Sequence, residues 1–194
     1  MEKFETPEGC IAIDEQGGWE GRAAPLDSLR KTAELFNLRG GKTIVEIGTG
    51  LHGKMSGNSI LVWVRETSAK RIIAVDRNQE RIDQVAESVG DDRRVETVLA
   101  DGIGFLRGFS SPVDLLYLDF WFPDQPDTLR GTGRVEAYRD AFAAADSKLG
   151  SGSMILIDDT DHVDPWKQTH IVPMARASGF RVVYVGRQTL LLRE

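Results

Sequence analysis

Short apolar runs that end on an acidic residue alternate with helical patterns along most of this 194-residue chain. Apolar runs of this length are typical of buried strands, whereas apolar residues spaced three and four positions apart are typical of amphipathic helices. Strands that alternate with helices predict a parallel sheet that is covered by helices on both faces. This alternation constrains the fold more than any other feature, because it argues against all-helical and purely antiparallel architectures.

The predicted strands form one sheet of seven. They begin at Thr43, Arg71, Val95, Asp114, Met154, Phe180 and Thr189. A short connection joins the last two strands, which suits an antiparallel pair. We therefore expect a Rossmann-like, doubly wound α/β sheet, mostly parallel with an antiparallel last strand. Residues 1–25 contain Pro7, Pro25 and paired glycines, so we expect an irregular N-terminal arm that could cover an active site, followed by a single domain over residues 26–194.

The overall composition is that of an ordinary globular protein. Apolar residues make up 41% of the chain, charged residues 28%, and the formal net charge is −6. A negative chain disfavours a phosphate backbone as a partner, so we do not expect nucleic acid to be the partner of this chain. The sequence has no apolar stretch of about 18 residues, a charged beginning at residues 1–5, and a single cysteine, Cys10. We expect a cytoplasmic protein without membrane segments, and the oligomeric state stays open.

The first predicted strand ends in a glycine-rich segment, Glu46-Ile47-Gly48-Thr49-Gly50. Gly48 and Gly50 let the backbone approach a ligand closely and turn sharply towards a helix. Asp76 ends the second predicted strand, where a carboxylate can accept hydrogen bonds from a ribose diol. Residues 48–53 also fit the G-x-G-x-x-G pattern of dinucleotide-binding folds. Against that alternative, the carboxylate of Glu46 is misplaced beside a pyrophosphate but is compatible with a cationic sulfonium nucleoside.

The order of these motifs resembles that of the class I S-adenosylmethionine-dependent methyltransferases. The segments that carry the resemblance are residues 45–50, Val75-Asp76, Ala100-Asp101-Gly102, Leu118-Asp119 and the final antiparallel pair. The resemblance covers nearly everything from residue 26 to residue 194. It implies a methyl transfer with S-adenosylmethionine as the cofactor.

The resemblance also implies roles for individual residues. By position, Glu46, Gly48 and Gly50 would line the methionine part of the cofactor. Asp76 would bind the ribose hydroxyls. Asp101 and Gly102 would flank the adenine, with Asp101 accepting a hydrogen bond from the exocyclic amine.

Within that class, the chain resembles the metal-dependent small-molecule O-methyltransferases, in which carboxylates after strands four and five hold a divalent cation. The matching residues are Asp119 and the pair Asp158-Asp159. Oxygen ligands of this kind suit Mg²⁺, with Mn²⁺ or Ca²⁺ as substitutes. Successive strand residues point to opposite faces, so both members of the pair reach one cation only if the chain has left the strand by Asp159.

The catalytic base is harder to assign. The catechol-type enzymes have a lysine three residues after the strand-four aspartate, whereas this chain has Phe122 at that position. His162 and Lys167 are the nearest candidates for the catalytic base.

Several alternatives stay open at this point. The carboxylates after strand five could be a solvated turn, since Asp and Thr are common in turns. His162 could be an ordinary surface histidine. Asp101-Gly102 followed by Phe105-Leu106 is compatible with an aminopropyltransferase of the polyamine synthase type. A non-catalytic nucleoside-binding module would need neither a base nor a metal.

Overall fold

The computed structural model describes residues 26–49, 59–120, 133–161 and 167–194. Six α-helices lie in these ranges: α1 (Leu26–Leu38), α2 (Ser59–Glu66), α3 (Gln79–Val89), α4 (Gly102–Gly108), α5 (Gly133–Ala145) and α6 (Gln168–Ala177). The strands are β1 (Thr43–Ile47), β2 (Arg71–Asp76), β3 (Val95–Leu99), β4 (Val113–Leu118), β5 (Leu149–Ile157), β6 (Phe180–Val185) and β7 (Thr189–Arg193). The predicted N-terminal arm, residues 1–25, lies outside the described residues.

The seven strands form one sheet in the order β3-β2-β1-β4-β5-β7-β6. The pairs from β3 through β5 are parallel, and β7 is antiparallel to both β5 and β6. This arrangement confirms the predicted Rossmann-like sheet with an antiparallel last strand. The strand order reverses at β1, which has β2 on one side and β4 on the other, and open α/β sheets bind ligands at such a switch point.

Each face of the sheet carries its own hydrophobic core. Leu106, Phe142 and Ile171 of α4, α5 and α6 pack against one face. Helices α1, α2 and α3 cover the other face through residues such as Phe36 and Trp63. Adjacent residues of one strand enter opposite cores because side chains alternate along a strand. These two layers leave the carboxyl edge of the sheet as the place for a site.

Some elements differ from the sequence prediction. The pattern did not predict α4, because Gly102 and Gly104 are poor helix formers. Strand β5 begins at Leu149, five residues before the predicted Met154. The pair Asp164-Pro165, which is typical of a helix start, lies outside the described residues, and α6 begins at Gln168. Among the described helices, none has the length and apolar character that a bilayer span requires.

Candidate active site at the carboxyl edge of the sheet

Gly48 lies where β1 meets the segment that follows β4. Its φ angle is +87°, a left-handed conformation that favours glycine. A Cβ atom built there would lie 2.4 Å from both the Asp119 carbonyl oxygen and the Phe120 Cα atom. The Gly48 backbone N–H donates to the Val75 carbonyl at 2.9 Å. Glycine is therefore required here by the close approach of two backbones, and Gly50 lies outside the described residues.

A pocket opens beside Gly48 at the ends of β1, β2 and β3. Its empty volume is about 390 Å³, including the part that is open to solvent. The lining residues are Ile47, Gly48, Val75, Asp76, Arg77, Ala100, Asp101, Gly102, Ile103 and Phe120. Four of the six residues predicted to bind the cofactor are in this set, which places Gly48, Asp76, Asp101 and Gly102 around one cavity.

Local contacts hold the two pocket carboxylates. Asp76 Oδ1 accepts a hydrogen bond from the Asn78 backbone N–H at 2.8 Å, and Arg81 Nη1 lies 3.6 Å from Asp76 Oδ2. Asp101 is the N-cap of α4, and its Oδ2 accepts from the Gly104 backbone N–H at 2.7 Å. Both side chains therefore have fixed orientations at the pocket wall.

Gly102 allows α4 to cross the end of β1 closely. A Cβ atom at this position would lie 2.1 Å from Ile47 Cγ2. The glycine that follows Asp101 is therefore explained by packing, and this packing brings Asp101 to the pocket.

Glu46 lies on the other face of β1, completely buried beneath α2. Its two carboxylate oxygens accept hydrogen bonds from Ser59 Oγ at 3.0 Å and Trp63 Nε1 at 2.7 Å. Burial raises the pKa of Glu46 to about 7, although hydrogen bonds from Trp63 and Ser59 lower it. These contacts tie Glu46 to α2.

The three carboxylates predicted to hold a metal do come together. Asp119 follows β4, Asp158 and Asp159 follow β5, and each offers an oxygen within 4.8 Å of the others. The φ angle of Asp159 is +56°, so the chain turns immediately after the strand. This turn fulfils the geometric condition for Asp158 and Asp159 to face one point. We call Asp119, Asp158 and Asp159 the acid cluster.

Two cationic side chains contact the acid cluster. Lys167 is almost completely buried, with Nζ 3.3 Å from Asp159 Oδ2 and 3.6 Å from Asp119 Oδ1. Arg187 Nη2 lies 3.2 Å from Asp159 Oδ1 and 3.9 Å from Asp158 Oδ2. Three carboxylates and these two cations leave one net negative charge when all five groups are ionised.

The charges of this group shift one another's pKa values. Burial and the neighbouring Asp158 carboxylate raise the pKa of Asp119, and burial with Asp159 raises that of Asp158. Burial lowers the pKa of Lys167, but Tyr138, Asp159 and Asp119 outweigh it, and the net shift is upward. Lys167 is therefore a protonated donor in this arrangement. His162, the other candidate base, lies outside the described residues.

The structure adds three residues that sequence reasoning missed. Tyr138 of α5 stacks on Phe120 with ring centroids 4.3 Å apart, and Lys167 Nζ lies 5.4 Å from the Tyr138 ring centroid. Arg187 and Gln188 belong to the turn between β6 and β7 and contact the acid cluster. No local motif marks these residues, because their place depends on the order of strands in the sheet.

The donor set of the acid cluster fits a hard divalent cation. It offers carboxylate oxygens from two neighbouring strands and, when all five groups are ionised, has a net negative charge despite Lys167 and Arg187. Mg²⁺ prefers such oxygen ligands. The pocket suits a nucleoside in the same way, since it combines backbone close to the cavity at Gly48 with two oriented carboxylates.

Comparisons with known proteins identify the fold. No family model matches this chain. A curated relative, the glutamyl-tRNA reductase of Campylobacter concisus (strain 13826), is 24% identical over 90 residues, which cover 46% of this chain and 19% of the reductase. The chain thus spans about a fifth of the length of that relative.

Solved structures are similar over most of the chain. A Clostridium thermocellum protein assigned as an rRNA-methylase has a TM-score of 0.62 at 15% identity, covering 93% of this chain and 97% of that one. The O-methyltransferase TomG of Streptomyces achromogenes, solved with S-adenosylmethionine, has a TM-score of 0.59 at 20% identity and coverages of 90% and 82%. An O-methyltransferase of Bacillus cereus, solved with S-adenosylhomocysteine, has a TM-score of 0.58 at 17% identity and coverages of 86% and 81%. At these identities the likeness establishes the fold, which is that of S-adenosylmethionine-dependent methyltransferases.

Proposed function

We propose that this protein is an S-adenosylmethionine-dependent methyltransferase that methylates a hydroxyl oxygen of a small molecule, assisted by a divalent cation, Mg²⁺ in the first instance. One observation carries the proposal. The pocket and the acid cluster adjoin, because Phe120 lines the pocket and directly follows Asp119. A methyl donor and an acceptor hydroxyl could meet at that boundary.

The pocket side would hold the cofactor. Asp76 would accept hydrogen bonds from the ribose hydroxyls, and Asp101 would accept from the adenine amine. Gly48 and Gly50 would let the backbone approach the methionine part, while Gly102 brings α4 against the adenine. Glu46 would act beneath the methionine part by holding α2 against β1 through Ser59 and Trp63.

The cluster side would hold the acceptor. Asp119, Asp158 and Asp159 would bind the cation, which when bound lowers the pKa of a hydroxyl and fixes its position. In the transfer, the acceptor oxygen forms a bond to the methyl carbon, the bond from carbon to sulfur breaks, and the hydroxyl proton leaves. Lys167 carries a proton in the described arrangement, so it would orient a developing oxygen anion, and His162 is the candidate that would take the proton.

Charge supports a small acceptor over a nucleic acid. The chain carries a formal net charge of −6. A chain of this charge repels a phosphate backbone, which binds to clustered basic surfaces. A hydroxylated small molecule meets no such repulsion.

Calorimetry with S-adenosylmethionine tests the proposal. Asp76→Ala should weaken binding by about 2–4 kcal/mol, since two buried ribose hydroxyls would lose their acceptor. Asp83→Ala on the exposed face of α3 is the matched control and should bind like the parent protein. Equal affinity of the folded Asp76→Ala variant would refute the assignment of the pocket.

Two further titrations separate the alternatives. Tighter binding of decarboxylated S-adenosylmethionine than of S-adenosylmethionine would favour an aminopropyltransferase. Nucleoside binding without any binding of Mg²⁺ or Mn²⁺ would favour a metal-independent enzyme or a non-catalytic module.

A further inference from the structure

Gln188 is a buried amide that joins three elements at the acid cluster. It lies in the turn between β6 and β7 and is 1% exposed. Its Nε2 donates to Asp158 Oδ1 at 2.5 Å and to the Tyr117 hydroxyl at 3.1 Å. Its Oε1 accepts from the Ser28 hydroxyl of α1 at 2.6 Å. Both N–H groups and the carbonyl oxygen of the amide are therefore engaged, which fixes its orientation.

The turn that carries Gln188 is tied to the segment that carries Asp158. The Thr160 backbone N–H donates to the Arg187 carbonyl at 2.6 Å. The Thr160 hydroxyl contacts the Gly186 carbonyl at 3.1 Å, and Thr189 Oγ1 donates to Thr160 Oγ1 at 2.8 Å. These hydrogen bonds join the segment that follows β5 to the turn between β6 and β7, and they thus fix the distance between Gln188 and Asp158.

A neutral donor suits this place better than another cation would. Lys167 and Arg187 already contribute two positive charges beside the three carboxylates. An amide restrains one oxygen of Asp158 without cancelling its negative charge. The Asp158 side chain therefore stays in the rotamer that brings a carboxylate oxygen within 4.8 Å of those of Asp119 and Asp159, and its negative charge still attracts a cation.

We propose that Gln188 is a positioning residue, which holds Asp158 in the orientation that a divalent cation requires. The inference rests on the proposed function, because it assumes that the acid cluster binds such a cation. Groups that hydrogen-bond a metal ligand typically change metal affinity by about 10–100-fold when they are removed. Gln188 would make the terminal antiparallel pair a part of the site as well as of the sheet.

The experiment uses the full chain and Mn²⁺ as the probe. Gln188→Met keeps a side chain of similar size and removes both donors. Titration with MnCl₂, followed by calorimetry and by the electron paramagnetic resonance spectrum of bound Mn²⁺, should show about tenfold weaker binding or worse. The affinity for S-adenosylmethionine should stay at the parent value, since Gln188 does not line the pocket.

Thr189→Val, at the first residue of β7 and next to Gln188, is the matched control. It removes the buried hydrogen bond to Thr160 and leaves the contact of Gln188 with Asp158 in place. It should lower stability while binding Mn²⁺ like the parent. If Gln188→Met does not fold, Ser28→Ala releases the far end of the amide and should weaken Mn²⁺ binding about two- to fivefold, as expected for one hydrogen bond.

The outcomes separate this inference from the proposed function. Parent-like Mn²⁺ affinity in Gln188→Met, or in Ser28→Ala where only that variant folds, overturns it. An equal loss in Thr189→Val overturns it too, because the effect would then be a general loosening of the turn. A parent protein that binds S-adenosylmethionine but no Mn²⁺ refutes the positioning role together with the metal assistance, and leaves a metal-independent enzyme or a non-catalytic module. One that binds neither refutes the proposed function.

Discussion

The pocket and the acid cluster lie side by side at the carboxyl edge of one sheet, but they are built differently. The pocket depends on backbone: Gly48 and Gly102 are fixed by contacts to Asp119, Phe120 and Ile47. The acid cluster depends on side-chain charge, with two carboxylate segments and two cations brought from four places in the chain. Steric change should therefore damage the pocket, whereas the cluster should respond to charge.

Gly48→Ala should have the largest effect. The new Cβ would overlap backbone atoms at 2.4 Å, and an alanine is strained at φ +87°. Together these costs should destabilise the fold by about 4 kcal/mol, because no rotamer can relieve an overlap with backbone. Urea denaturation measures the loss. Gly90→Ala is the control, since Gly90 has φ +58° with nothing near its Cβ position, and it should cost only about 1 kcal/mol.

Lys167→Met should show that the acid cluster is governed by charge. Removing one partner of a buried ion pair should cost about 3 kcal/mol of stability in metal-free buffer. The same change should tighten Mn²⁺ binding about tenfold or more, because an ammonium group no longer opposes the cation. The exposed Lys70→Met is the control. If Lys167→Met bound Mn²⁺ no better than the parent, the lysine would not compete with a cation, and the contrast between the two regions would fail.

The pocket could be predicted from the sequence better than the acid cluster could, because the pocket depends on backbone at strand ends and the cluster depends on side chains from distant parts of the chain. Gly48, Asp76 and Asp101 each lie at the end of a strand or within two residues of it, so local pattern was enough to predict that they meet in one pocket. Proximity of Asp119 to the residues after β5 followed from the pairing of β4 with β5.

The partners of the acid cluster could not be predicted. Arg187 and Gln188 reach it only because β7 inserts between β5 and β6, which no period in the sequence encodes. Lys167 was expected only as a nearby base, whereas the structure shows it as a buried ion-pair partner. Tyr138 lies at an apolar position of α5, and the sequence alone does not show that its ring contacts both Phe120 and Lys167.

The buried carboxyl of Glu46 should make the stability of the pocket side depend on pH. Its pKa is about 7 in the folded protein against 4.5 ordinarily, so the folded state holds the proton more tightly. The contribution of Glu46 to the free energy of unfolding is fully present below pH 4.5. It is lost as the pH rises to about 7, and the free energy of unfolding falls by about 3 kcal/mol over this range. Glu46→Gln should remove this decrease of the free energy of unfolding with pH, which denaturation at pH values from 4.5 to 8 measures. The exposed Glu87→Gln should keep it, and a parent-like slope in Glu46→Gln would refute the buried acid.

Asp101→Asn should have the smallest effect and the most specific one. An asparagine side-chain oxygen can still accept from the Gly104 N–H, so α4 should keep its N-cap and the fold its stability. Loss of a charged acceptor for the adenine amine should weaken S-adenosylmethionine by about 1 kcal/mol. The inosine analogue lacks that amine, so it should bind to the parent more weakly than S-adenosylmethionine does. Its affinity should fall little further in Asp101→Asn. Equal binding of the two nucleosides to the parent would leave Asp101 with its helix-capping role alone, and the pocket would then recognise the cofactor through Asp76 and the backbone.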